Sequence, residues 1–80
     1  MSYASMPMQL LRIRAEGTEL TRTEAQVLRR IAMGDSQVEA AVRLGKSLET
    51  VRKQTKAARA RLQARTNAHA VAIAVSLDLI

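Results

Sequence analysis

Apolar residues recur along this chain at spacings of three and four between short polar turns, which is the period of helices rather than strands. Val27, Leu28 and Ile31 make the clearest run and share one helical face. Before them, Thr21-Arg-Thr-Glu24 has the form of a capping box, in which the Thr21 hydroxyl accepts an orphan amide and Glu24 reaches back. Met33-Gly34 marks the end of that helix. Ser36-Gln-Val-Glu39 repeats the same chemistry and opens a short helix with Ala40, Ala41 and Leu44 turned inward and Gly45 closing it. Ser47 then caps a third helix over about residues 48–63, with Glu49 in its first turn favouring the dipole.

The third helix divides cleanly by angle. At about 100° per residue, Val51, Thr55, Ala58 and Leu62 gather on one side, and Glu49, Arg52, Lys53, Lys56 and Arg59 fall on the opposite half. One stripe packs and the other is basic and exposed. A short helix, a tight Gly45-Lys46-Ser47 connection and a helix with a basic outer face together make a helix-turn-helix pattern. A fourth helix begins at Thr66 or Asn67. Ala70, Val71, Ala74 and Leu77 share its core face, and Ala68, Ala72, Val75 and Leu79 form a second apolar stripe on the far side. A helix apolar on two sides is expected to be covered on both, and a partner molecule is the natural second cover, with small residues at 68 and 72 letting two such helices approach closely. The alternative is that residues 1–18 fold back over the stripe. That segment reads as a short helix, with Ser5 as cap, Pro7 in the first turn and Gly17 as stop, or as an extended arm.

Composition narrows the function. Eighty residues make one small domain, which buries only about 60% of its unfolded surface and gains from a partner. With no cysteine and a single histidine, His69, the usual zinc and nucleophile constellations are missing. His69 is expected to be packed or interfacial rather than a pH sensor. One tyrosine with no Phe or Trp removes the stacking platforms that single-strand and RNA binders use. No titratable pair is arranged for catalysis, so no enzyme, metal or cofactor is expected, and no small-molecule ligand is evident. The longest apolar stretch, Ala70–Val75, is far shorter than a membrane span. A cytoplasmic protein is the expectation.

The net charge of +6 is lopsided. Five arginines and five acids cancel over residues 1–40, so the whole excess lies in residues 41–80. Thr50–Thr66 holds six basic residues and no acid. A solvated helix face is the plain alternative, but a local basic footprint beside a helix-turn-helix points to nucleic acid. Lys46, Arg59, Arg61 and Arg65 are candidate phosphate contacts, joined by backbone amides at the helix starts Ser36 and Ser47. Arg52, Lys53 and Lys56 can donate to guanine O6 and N7. Glu49 can accept from cytosine N4, although dipole and cap chemistry accounts for it better.

The ordered set Leu20-Thr-Arg-Thr-Glu24-Ala-Gln-Val-Leu28, Ile31-Ala-Met-Gly34-Asp-Ser36, Glu39-Ala-Ala41, Leu44, Ser47 and Glu49-Thr50-Val51-Arg52 resembles the LuxR/GerE family of DNA-binding domains. Ala68-His69-Ala70-Val71-Ala72 and the closing Leu79-Ile80 are similar to the tail of its quorum-sensing branch. The likeness covers residues 20–80 without gaps. It implies an all-α, four-helix domain over residues 19–80, with residues 1–18 as an added short helix or arm. It further implies a third helix in the major groove, a second helix leaning on the phosphates and a fourth helix forming a homodimer. By position, Thr50, Arg52, Lys53 and Lys56 carry over to the groove-facing part of the third helix, and Ser36 and Gln37 to the place where the second meets the backbone. The dimer residues would be Ala68, Ala72, Val75 and Leu79.

The chain departs from the family pattern in five places. Lys46 stands where an aliphatic residue is favoured, leaving Leu48 to lock the turn, and Gln54 stands where histidine is frequent. Val38 replaces a frequent lysine, Gln63 a glycine after the third helix, and Asn67 a basic residue opening the fourth. The family's sensor domain cannot fit in eighteen residues, so a stand-alone domain or a piece of a larger chain is expected. Two other readings compete with a sequence-specific regulator of double-stranded DNA. One is a sigma region-four-like promoter module, which lacks such a fourth helix. The other is a protein-interaction module, an anti-activator or decoy that takes a longer LuxR-type regulator as its protein partner.

Overall fold

Each of the four helices among the described residues begins on a hydroxyl. In the computed structural model, which describes residues 19–80, α1 spans Arg22–Ala32, α2 Gln37–Leu44, α3 Leu48–Leu62 and α4 Asn67–Ser76. The side chains of Thr21, Ser36, Ser47 and Thr66 accept the third-residue amides of these helices. Such caps contribute about 1 kcal/mol each. Both expected capping boxes are closed, with Glu24 Oε1 accepting from Thr21 N–H at 3.0 Å and Glu39 Oε1 from Ser36 N–H at 2.8 Å. No strand occurs among the described residues, in keeping with the all-α expectation. The expected cap and helix over residues 5–17 lie outside the described residues.

The helix ends share one device. The amides of Asp35, Lys46, Ala64 and Leu79 donate to the carbonyls of Arg30, Ala41, Arg59 and Ala74, each five residues back. Such a bond needs a left-handed residue just before the donor. Gly34 (φ 102°) and Gly45 (φ 65°) supply it at no steric cost, whereas Gln63 (φ 53°) and Asp78 (φ 61°) do so against their Cβ atoms.

α1 and α3 each pack against all three other helices, while α2 and α4 do not touch. Leu28 looks toward α3 and α4, in a cluster with Ala58, Leu62, Ala70 and Ala74. Val27 looks the other way, toward Ala40, Ala41 and Val51. Ile31 lies against both clusters. Six of the eleven buried apolar residues are alanines, so the helices approach closely but bury little apolar volume. Polar ties therefore matter more than usual in a domain this size. Buried Glu24 takes the Arg61 guanidinium, with Nε 2.8 Å from Oε1, and joins the start of α1 to the end of α3. Asp35 sits between Arg30 at 2.7 Å and Arg43 at 3.3 Å and ties the α1–α2 turn to both helices.

The four core positions expected on α3, Val51, Thr55, Ala58 and Leu62, are all buried. On α4, Ala70, Ala74 and Leu77 are buried and Val71 is partly so. Leu79 corrects the expected outer stripe. The helix ends at Ser76, and the turn at Asp78 brings Leu79 back against the Leu28–Leu62 cluster rather than along the far face.

Two outcomes follow for stability. Gln63→Gly relieves a left-handed Cβ and is expected to raise stability by about 0.5–1 kcal/mol in urea denaturation; a loss would show that the Gln63 side chain contributes more than its backbone costs. The hydrogen bond from Arg30, followed by the charges of Arg30 and Arg43, holds the Asp35 carboxyl below its ordinary value. A depressed folded value means that Asp35 stabilises the fold above the unfolded carboxylate value, about 4, and ceases to as pH falls through the folded value. Asp35→Asn should therefore lower the melting temperature at neutral pH, and the gap to the parent should shrink below about pH 4.

Candidate nucleic-acid interface

The outward half of α3 is set by its inward half. With Val51, Thr55, Ala58 and Leu62 buried, Glu49, Thr50, Arg52, Lys53 and Lys56 stand in solvent. Arg52, Lys56 and Arg59 are four and three residues apart and form one stripe along the helix, about 10 Å long. Among the described residues no carboxylate pairs with Arg52, Lys56 or Arg59. Lys53 lies one step round the helix, with Nζ 3.7 Å from Glu49 Oε1. Both of those side chains are largely exposed, so the contact is weak and easily exchanged for another anion.

The start of α2 flanks the front of α3. The buried Thr55 hydroxyl lies 2.9 Å from Gln37 Oε1 and 3.0 Å from the Arg52 carbonyl, a three-centre arrangement. One end of the Gln37 amide is thereby anchored to α3 and the other is left outward. Ser36 is exposed beside it as the cap of α2. Ser47, also exposed, donates its hydroxyl to Thr50 Oγ1 at 2.9 Å and accepts the Thr50 amide at 3.0 Å. The start of α2 thus touches α3 at Thr55, and Ser47 caps the helix that carries the cationic stripe.

Three expected cations are tied to other groups. Lys46, half-buried, donates to Gln54 Oε1 at 3.3 Å, so the turn is fastened to α3 by a polar bond. Arg59 is half-buried and its Nη1 donates to Asn67 Oδ1 at the start of α4. Arg61, another candidate phosphate contact, has its guanidinium bound to buried Glu24 and braces α3 against α1. Arg65 is exposed, and its amide donates to His69 Nδ1 at 3.1 Å. His69 is exposed too, so of the two expected roles it is not packed within the chain, and it helps close the N-terminus of α4. Sequence reasoning missed Gln54 and Asn67 as partners. It placed Thr55 in the core without asking where a buried hydroxyl finds its partner, a question that leads to Gln37.

A family model described as "Bacterial regulatory proteins, luxR family" matches residues 18–74, which takes in α1 to α3 and most of α4. The chain belongs to the LuxR family. No curated protein and no solved structure matches it. As a member it carries the LuxR-type helix-turn-helix, a DNA-binding unit of transcription regulators, with α2 and α3 as the two helices and Gly45-Lys46-Ser47 as the turn. Among the described residues no group of His, Asp and Glu is placed to hold a metal ion, and no helix is long and apolar enough to cross a membrane.

Proposed function

We propose that this LuxR-type domain regulates transcription by binding double-stranded DNA as a homodimer, with α3 in the major groove. The observation that carries the reading is the stripe of Arg52, Lys56 and Arg59, free of carboxylates and flanked by the start of α2. A groove about 12 Å wide accepts one α-helix. In that pose Arg52, Lys53 and Lys56 donate to guanine O6 and N7, and Thr50 approaches a base edge or the sugar. Ser36, Gln37, Lys46, Ser47 and Arg59 meet phosphates on either side, where released counterions favour binding.

One domain reads only a few base pairs, and a two-fold dimer doubles that. The outward stripe of α4 supports this arrangement. Ala68, Ala72 and Val75 are exposed at spacings of four and three, opposite buried Ala70 and Ala74. The two alanines permit close approach of a second α4, and Val75, 56% exposed, supplies the apolar contact. Leu79, packed on its own core, borders this surface only at its end.

Selection of duplexes from a random pool by the full chain tests the reading. A two-fold symmetric site is expected; retention of no duplex would favour the protein-interaction module. Lys53→Ala should weaken the selected site by about 1–3 kcal/mol and relax preference at one or two positions. Equal weakening on random DNA would assign Lys53 to phosphates instead. Val75→Glu is expected to give a folded monomer in sedimentation, and a dimer of unchanged strength would remove α4 from the interface.

A further inference from the structure

We propose that Asn67 is a positioning residue for DNA binding: it holds the Arg59 guanidinium at the phosphate side of α3 and makes the start of α4 part of the interface. The inference rests on the reading of α3 as the DNA-facing helix. Its basis is a contrast among arginines. Arg61 is held by Glu24, and Arg30 by Asp35. Those carboxylates neutralise the charges they hold, as suits a brace within the fold. Arg59 is held by a neutral amide, the Asn67 carbonyl oxygen. A neutral acceptor fixes direction and leaves the positive charge uncompensated. One donor is engaged, and the remaining N–H groups of the guanidinium stay available to an anion.

Asn67 is free for this task. The α4 cap is already made by Thr66, whose hydroxyl accepts the His69 amide at 3.0 Å, with His69 Nδ1 accepting from Arg65. Arg59 also completes the stripe that begins with Arg52 and Lys56, so the held group lies where the other free cations lie. Ordering a long side chain before binding removes part of the entropy lost when it meets its ligand. The place at which the LuxR pattern has a basic residue is thus served in this chain by a cation reaching over from α3.

The experiment measures affinity of the full chain for a random-sequence duplex against salt, alongside thermal melting. Arg59→Ala should lower the log–log salt slope by about 0.9. Asn67→Ala should weaken binding by about two- to tenfold with little change in melting, and should have no further effect in the Arg59→Ala background. Asn67→Asp separates positioning from bracing. A carboxylate at a helix start favours the fold, so melting should hold or rise, while affinity and salt slope fall toward those of Arg59→Ala. Loss of affinity on Asn67→Ala equal in both backgrounds, no loss at all, or an Asn67→Asp variant that keeps the parental slope would overturn the proposal. If the pair Arg52→Ala with Lys56→Ala also leaves binding intact, the DNA-facing reading of α3 falls instead.

Discussion

The carboxylate of Glu24 is asked to do two things at once, and the arrangement of α3 depends on both. One oxygen accepts the Thr21 amide and closes the start of α1; the two together receive Arg61 from the last turn of α3. Desolvating a carboxylate is unfavourable unless its lone pairs are met, and here they are met from two helices. At the middle of α3, Thr55 is fastened to Gln37 and Gln54 to Lys46. Ties at the middle and at the last turn oppose rolling of the helix about its axis. The apolar contacts beneath it are mainly alanines, which alone would hold that angle loosely. The direction of the cationic stripe is therefore a product of polar ties more than of side-chain volume.

These ties divide the basic residues by the sign of their partner. Arg30, Arg43 and Arg61 meet carboxylates and work within the fold. Lys46 and Arg59 meet neutral amides, while Arg52 and Lys56 stand in solvent. The net charge of +6 already discounts these pairs. Of the cations without a carboxylate partner among the described residues, Arg52, Lys56 and Arg59 stand together in one stripe on α3. A field of that shape attracts a polyanion and orients it as well.

Much of this was legible in the sequence because the decisive signals are local. Thr21 with Glu24, Ser36 with Glu39, and Ser47 each sit three residues from what they bond, so the helix starts could be placed to the residue. The buried side of α3 followed from period alone, and so did its basic face. The less legible features involve partners distant in the chain. Glu24 and Arg61 are 37 residues apart, and nothing in the composition separates Arg61 from Arg59 as fold-serving or outward-facing. Leu79 was misplaced because helical period was carried past Ser76, where Asp78 takes a left-handed turn that only glycine or asparagine would have advertised. The acceptor role of His69 at the start of α4 was not legible, because an exposed ring carries no period or burial signal.

The departures from the LuxR pattern make more sense in space than in sequence. Lys46 and Gln54, each unusual alone, are bonded to each other across the turn. Asn67, which lacks the usual charge, accepts a charge from Arg59. In each case the second residue supplies what the first withholds, an apolar lock replaced by a polar one and a cation moved from α4 to α3. Gln63 takes the left-handed backbone that a glycine would adopt without a Cβ. Val38 stands exposed where a lysine would add charge to α2. Positive charge is thus missing at Val38 on α2 and stands instead on the stripe of α3, where Arg59 reaches the start of α4.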